Sequence, residues 1–426
     1  MALNQSPKRL YYGWVIVAVV ALAGFTQTAE SFPVLGVFLK PITEEFGWSR
    51  SLYTGAMTIG TVLGGALALG IGPLLDRYGG RWALVVAFTI LGAVWVLMAA
   101  IQTLWEFYVL QILARTIMIG VVGLGMGVII PKWFVAKRGR ALALSGMGAK
   151  LGNAITPLYI QYLVALNSWR LAALISGVVV WVVSLVPIVL FLRRNPEDMG
   201  LLPDGASHYV SDAVNQEGGS GTVKETSLSL RSVLNYPAFY LLTASVALTS
   251  FAQPSLNLHT IPFFTDKGIS SGIAALVLTV WAVFGAIGTL VLGFCVERYG
   301  IRLTMALNSA LIASGFIVLL LVESATGALL WGAYMGLIQG GNFFLQPVLF
   351  ADYFGRDSLG SIRGVVWQVQ MVAHATGPLS ASFAYDWLGG YSMIMIVFGA
   401  ITLLSGLCIA FARPPEVSKA QSPTVS

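Results

Sequence analysis

Twelve apolar runs, each about 20 residues or longer, divide this chain and restrict what it can fold into. A run of roughly that length carries an α-helix across the hydrocarbon core of a bilayer. The runs fall at residues 11–39, 52–75, 82–102, 105–130, 138–162, 169–192, 237–264, 271–295, 303–322, 327–351, 362–384 and 391–412. Little is left to face water. Hydrophobic residues make up 57% and charged residues 10% of the 426, where a soluble domain carries about 25% charged. Lipid is therefore the solvent for most of the surface. The pattern predicts an all-α membrane protein with twelve transmembrane helices, since a helix satisfies its own backbone in hydrocarbon.

Orientation follows from the basic residues. With the amino terminus inside, 18 of the 24 Lys and Arg lie on the cytoplasmic side, while Lys40, Arg50, Arg170 and Lys267 lie opposite and Arg115 and Lys150 fall within spans. That bias places both termini in the cytoplasm. It also accounts for the net charge of +6 without a nucleic-acid partner. Lys8 and Arg9 precede an apolar run, as in a secretory signal. The run is too long for one and lacks a small-residue cleavage site, so it reads as an uncleaved first helix. Cys295 and Cys408 lie in apolar runs and suggest neither a disulfide framework nor a metal cluster.

The stretch 195–235 breaks the apolar pattern with Pro196, Pro203, Gly205 and the Gly218–Gly221 cluster. The expected organisation is a six-helix bundle over 1–192, a cytoplasmic linker over 193–235, and a second six-helix bundle with a tail over 236–426. The halves repeat one another. The loop after the second span reads Gly72-Pro-Leu-Leu-Asp76-Arg77-Tyr78-Gly79-Gly-Arg81, and the loop after the eighth reads Gly293-Phe-Cys-Val-Glu297-Arg298-Tyr299-Gly300-Ile-Arg302. Each matching position is offset by 221 residues. Parallel repeats of this kind build a substrate path where the halves meet.

These residues carry a resemblance to the major facilitator superfamily over essentially the whole chain. Gly72–Arg81 resembles that family's loop signature between its second and third helices. Four further segments are similar to bacterial monocarboxylate-porter and oxalate/formate-type members: Tyr12-Gly13-Trp14, Phe46-Gly47-Trp48-Ser49-Arg50, Trp133-Phe134 with Arg138-Gly139-Arg140-Ala141, and Pro196-Glu197-Asp198-Met199-Gly200-Leu201. The resemblance implies a secondary transporter of the bacterial inner membrane. It also implies small carboxylate substrates, moved by proton symport or anion exchange.

Polar groups inside spans are costly and point to function. They occur as Gln27 and Glu30, Gln111 and Arg115, Lys150 and Asn153, Gln253 and Asn257, Gln339, Asn342 and Gln346, and Gln370 and His374. Spacings of three or four put each set on one helix face. Six polar stripes describe a wet cavity, and Arg115, Lys150, Asn153, Gln253, Asn257, Gln339, Asn342, Gln346, Gln370 and His374 are the expected substrate-binding residues. Each has a plainer reading. Arg115 lies about 15 Å along its helix and either ties to backbone carbonyls or Glu30, or binds an anion. Lys150 either pairs with Glu30 or hooks an anion. The amides can serve helix packing instead. Glu30 and His374 are the coupling candidates, His374 because imidazole titrates near neutral pH. His208 and His259 read as peripheral. Close-packing faces are expected at Gly60/Gly64, Gly123/Gly127, Gly148/Gly152 and Gly332/Gly336/Gly340.

Two fixed positive groups and one buried acid favour an anionic substrate. The resemblance would place a basic residue in the second half as well, yet residues 271–295 contain no Lys or Arg. The positive centre lies at Arg115 and Lys150 instead. The alternative within the same fold is a multidrug or cation exporter with Glu30 as its cation site. A membrane-embedded enzyme would need clustered His, Cys or carboxylates, and none is visible. No Gly-x-x-x-x-Gly-Lys-[Ser/Thr] run appears, so no ATP or other cofactor is expected. Asp76, Arg77, Arg81, Glu297, Arg298 and Arg302 are expected to gate the cytoplasmic end. Nothing in the pattern fixes an oligomeric state.

Overall fold

The computed structural model describes residues 11–78, 80–134, 137–202, 230–354 and 359–414. The first span is not one helix. It comprises α1 (Gly13–Thr26), a 3-10 turn over Gln27–Glu30, and α2 (Phe32–Phe46). Ser31 is extended, with φ −75° and ψ 150°. Pro33 cannot donate a helical N–H but fits the first turn of a new helix, so the chain breaks and restarts there. α2 runs past residue 39 and stops at Gly47. Gly47 has φ +67°, and Trp48 N–H bonds back to the Thr43 carbonyl at 3.1 Å. That is a left-handed cap which favours glycine.

The first repeat continues with α3 (Arg50–Tyr78), α4 (Gly80–Met98) and α5 (Leu104–Ile117). A π turn over Met118–Val122 joins α5 to α6 (Gly123–Trp133), and α7 (Arg138–Leu166) follows. α8 (Trp169–Val180) passes through a second π turn into α9 (Val186–Phe191). The linker shows a 3-10 turn over Pro196–Met199 and the short α10 (Leu230–Val233). Residues 203–229 lie outside the described part. The second repeat has α11 (Pro237–Asp266), α12 (Ser271–Tyr299), α13 (Ile301–Leu321), α14 (Ala325–Gln339), α15 (Asn342–Phe354), α16 (Leu359–Leu388) and α17 (Ser392–Phe411).

Joined across their breaks, these helices make twelve membrane-spanning stretches among the described residues. Eight are long and apolar enough to cross a membrane on composition alone. The other four are α7, α11, α14 with α15, and α16, whose polar stripes and prolines dilute their apolar character. The predicted stripe Gln339–Asn342–Gln346 straddles a break at Gly340–Gly341 rather than following one helix. A Cβ on Gly340 would sit 1.9 Å from the Gly285 carbonyl, so only glycine lets α12 approach that closely.

The repeat is written in hydrogen bonds as well as in sequence. Thr103 caps α5 and Ser324 caps α14. Arg81 donates to the Val189 carbonyl at 2.8 Å, and Arg302 donates to the Ala410 carbonyl. The Ser184 hydroxyl bonds that of Thr26, and the Ser405 hydroxyl bonds those of Ser245 and Thr249. In each pair the residues 324, 302, 410 and 405 stand 221 positions after 103, 81, 189 and 184. The same arginine ties the same turn of the closing helix in both repeats.

Two compact units result. One holds residues 1–31, 63–153 and 167–220; the other holds 32–62, 154–166 and 221–426. In the first unit, α7 meets α1 at Gly148 and Gly152, where an added Cβ would lie 1.8 Å from the Ala21 carbonyl and 2.5 Å from the Phe25 carbonyl. In the second, Gly332 and Gly336 bring α14 against Val277 and Trp281 of α12. Gly127 faces open space, so the expected Gly123/Gly127 packing face is not one.

Candidate functional site

The break in the first span gives the first unit its polar centre. Gln111 and Arg115 stand one turn apart on α5 and so share a face. Gln111, Arg115 and Glu30 are 1%, 3% and 2% exposed. Gln111 Nε2 donates to Glu30 Oε2 at 3.1 Å, and the Arg115 guanidinium donates to the Glu30 main-chain carbonyl. The other carboxylate oxygen, Glu30 Oε1, is buried with no hydrogen bond within the usual limits among the described residues, and the Trp95 indole is a further neighbour of the carboxylate. An ionised carboxylate buried alone is very costly. Here the Arg115 charge offsets that cost. Lys150 and Asn153 lie on α7 beside the Gly148–Gly152 contact. Lys150 is exposed, Asn153 half-buried, and Asn153 Oδ1 is buried without a partner.

The remaining candidates lie in the second unit. Gln253 and Asn257 are half-buried on α11. Gln339 is half-buried at the end of α14, while Asn342 and Gln346 on α15 and Gln370 on α16 are buried. His374 is half-buried, its ring 5.2 Å from that of Phe32 at the start of α2.

The expected gating residues divide into two kinds. Arg81 and Arg302 are held by carbonyls of α9 and α17 within their own repeats. Glu297 and Arg298 are exposed, with the Arg298 guanidinium 5.7 Å from the Tyr299 ring. Asp76 and Arg77 lie on α3, and their side chains are outside the described residues.

A second polar centre in the second unit was not anticipated from the sequence. Arg50, at the start of α3, is only 7% exposed. Its guanidinium lies 2.8 and 3.1 Å from the carboxylate oxygens of Asp266, donates to the Tyr391 hydroxyl, and stacks 3.6 Å from the Tyr385 ring centre. Lys40 also pairs with Asp266 at 3.0 Å. His259, expected to be peripheral, is fully buried behind Tyr391. Its Nδ1 lies 2.9 Å from the Tyr391 hydroxyl and its Nε2 lies 3.1 Å from the Pro378 carbonyl. A carbonyl only accepts, so Nε2 carries the proton and Nδ1 accepts from Tyr391. The Tyr391 hydroxyl thus accepts from Arg50 and donates to His259. Arg50 is buried but Asp266 is exposed, so the pair is half-solvated and contributes more than a solvated surface pair, which is worth about 0–1 kcal/mol, and less than a fully buried one.

Comparison with known proteins agrees with this architecture. The chain matches the Major Facilitator Superfamily over residues 14–378, with a further match over 261–426. It belongs to that superfamily. Monocarboxylate transporter 12 of Mus musculus is 24% identical over 298 residues, which cover 67% of this chain and 61% of the transporter. The chain thus spans less than two thirds of that relative. The hexuronate transporter of Escherichia coli K12 is 21% identical over 443 residues, covering 96% of both proteins. The oxalate:formate antiporter of Oxalobacter formigenes is 21% identical over 408 residues, covering 94% of this chain and 91% of the antiporter. Among solved structures, a bacterial homologue of the human lysosomal transporter Spinster superposes with TM-score 0.71 at 15% identity, covering 97% of this chain and 99% of that one. A D-xylose–proton symporter gives 0.67 at 17% identity, covering 96% and 99%. The chain is an integral membrane protein of twelve helices in two pseudo-symmetric six-helix repeats.

Proposed function

We propose that this protein is a secondary active transporter for a small organic anion, a carboxylate, working by alternating access in a bacterial inner membrane with both termini cytoplasmic. The observation that carries the reading is the buried Glu30–Gln111–Arg115 centre at the break in the first span. Broken helices are where carriers of this kind coordinate substrates and coupling ions. Arg115 and Lys150 against Glu30 leave one positive charge in excess. The names of the relatives, for monocarboxylates, hexuronates and oxalate or formate, support an acidic substrate.

The centre also supplies a coupling logic. Glu30 and a substrate carboxylate compete for the positive charge of Arg115. Protonating Glu30 removes that competition, so proton and anion bind together and leave together. In exchange mode, one anion takes over the role of the next. Neutralising Glu30 separates the two modes: Glu30→Gln keeps anion-for-anion counterflow and loses proton-driven accumulation if the protein is a symporter.

The test is uptake of labelled organic anions and of lipophilic cations into proteoliposomes, run beside a thermal-shift screen over organic acids. A ligand that binds the native state raises its apparent stability. Uptake of anions and stabilisation by at least one acid are expected. Uptake of cations alone would instead make Glu30 the cation site of an exporter.

A further inference from the structure

We infer that Arg50, Asp266 and Asp386 form a releasable clasp in the second unit, holding residues 32–62 of the first repeat against α11 and α16 of the second, and that its opening is a step of the transport cycle. This rests on the carrier reading above. The charge bias of the sequence puts the clasp on the external side.

The grip is double. The Arg50 side chain reaches Asp266 at the end of α11, at 2.8 and 3.1 Å. In return the Asp386 carboxylate, near the end of α16, accepts from the backbone of α3, from Arg50 N–H at 3.1 Å and Ser51 N–H at 2.9 Å. Asp386 therefore caps a helix 335 residues away in sequence. Tyr391 and His259 hold the guanidinium in place from behind.

Release is built in. Ser49 Oγ accepts from Leu52 N–H at 3.2 Å, so α3 keeps a cap of its own when Asp386 leaves. Lys40, which shares Asp266, has Glu44 one turn away on its own helix, at 3.9 Å. Behind the clasp the seam is uncharged, with α2 packed against α11 through buried apolar side chains. Thr58 Oγ1 donates to the Ala375 carbonyl at 2.8 Å, and Gln161 Nε2 donates to Ser271 Oγ at 2.9 Å. Gly36 lets the Leu258 carbonyl in, where a Cβ would lie 2.3 Å from that oxygen. These are single neutral hydrogen bonds and a small-residue contact, weaker than the charged grip in front of them. A charged, directional grip over an uncharged seam places the charge-dependent control of that end in three side chains.

The experiment uses full-length protein with Cys295→Ser and Cys408→Ser and one reporter, Ala375→Cys, at a position 2% exposed behind the clasp. Membrane vesicles of both orientations are treated with an impermeant maleimide. Arg50→Gln and Asp386→Ala are expected to raise the labelling rate about tenfold or more from the side bearing residues 47–49, with thermal unfolding unchanged in Asp386→Ala and lowered but still cooperative in Arg50→Gln. Asp386 is exposed and meets α3 only through backbone N–H groups, so it carries the test where Arg50→Gln does not fold. The reversed pair Arg50→Asp with Asp266→Arg is expected to bring labelling back towards the wild-type rate. Wild-type labelling in folded single variants, labelling from the side of the termini, or a reversed pair as reactive as Arg50→Gln would each overturn the clasp. No substrate enters the assay, so absence of anion transport with clasp-dependent labelling would remove the function and leave the clasp.

Discussion

Arg115 and Arg50 are both buried arginines, and they differ in what holds them. Arg50 has a carboxylate, a phenol and an aromatic face. Arg115 has a main-chain carbonyl and a neighbouring acid. The first arrangement joins helix ends, and the second is the one proposed to take a ligand. If Arg115 and Lys150 bind the substrate, Arg115→Gln and Lys150→Gln each lose a charge-assisted contact of about 1.5–3 kcal/mol, a roughly 10- to 150-fold loss of affinity. Arg115→Lys fails as well if the contact is bidentate, because an ammonium is a point charge. Calorimetric binding to purified variants checks this, and wild-type affinity in both folded single variants would leave only a structural charge network. His259 answers to stability instead. His259→Ala leaves the Tyr391 O–H without its acceptor and takes one of two donors from the Pro378 carbonyl, which keeps the bond from Ser382. The loss is about 1–3 kcal/mol of unfolding free energy, read by thermal denaturation in detergent, with no direct effect on substrate affinity.

At the scale of helices, most of the fold was legible because hydrocarbon demands long apolar runs and the loops repeat at a fixed offset. The Glu30, Gln111 and Arg115 stripes were legible too, since an ionisable group in a span stands out in one dimension. The Arg50 centre was not. Its members sit at span ends, where charge is ordinary, and Arg50 and Asp266 lie 216 residues apart in sequence. The fixed offset is also silent about which helix ends pack into which unit. Glycine spacing was an imperfect guide, because small-xxx-small marks a face without saying that anything meets it. Gly340 and Gly127 separate the two cases. Gly340→Ala drives a methyl into the Gly285 carbonyl at 1.9 Å and is expected to cost about 1–3 kcal/mol by overpacking. Gly127→Ala meets nothing within 4 Å and gains helix propensity of about 0.5–1 kcal/mol. Thermal unfolding of the two variants should move in opposite directions. Equal shifts would mean that close helix approach at Gly340 contributes little.

For the whole molecule the repeat assigns the cytoplasmic-loop residues. Arg81 and Arg302 make the same bond to the closing helix of their own repeat, so their work is internal and identical in each half. Asp76 and Glu297, also equivalent by the 221-residue offset, are the proposed gate residues, and Glu297 is exposed. The proposed alternating-access cycle ties the two ends together: in it, weakening one gate favours the state in which that end is open and the opposite end shut. Glu297→Gln and Asp76→Asn should therefore slow maleimide labelling at Ala375→Cys below the wild-type rate, while Arg50→Gln accelerates it. Among the described residues Arg50 and Glu297 have no shared partners, so their free energies should add. The combined Arg50→Gln/Glu297→Gln variant should label at a rate between those of the single variants. By contrast Arg81→Gln and Arg302→Gln should lower thermal stability and leave the direction of labelling alone. Labelling that rises in both gate variants would describe general loosening rather than a shift between two states, and would count against a rocking carrier.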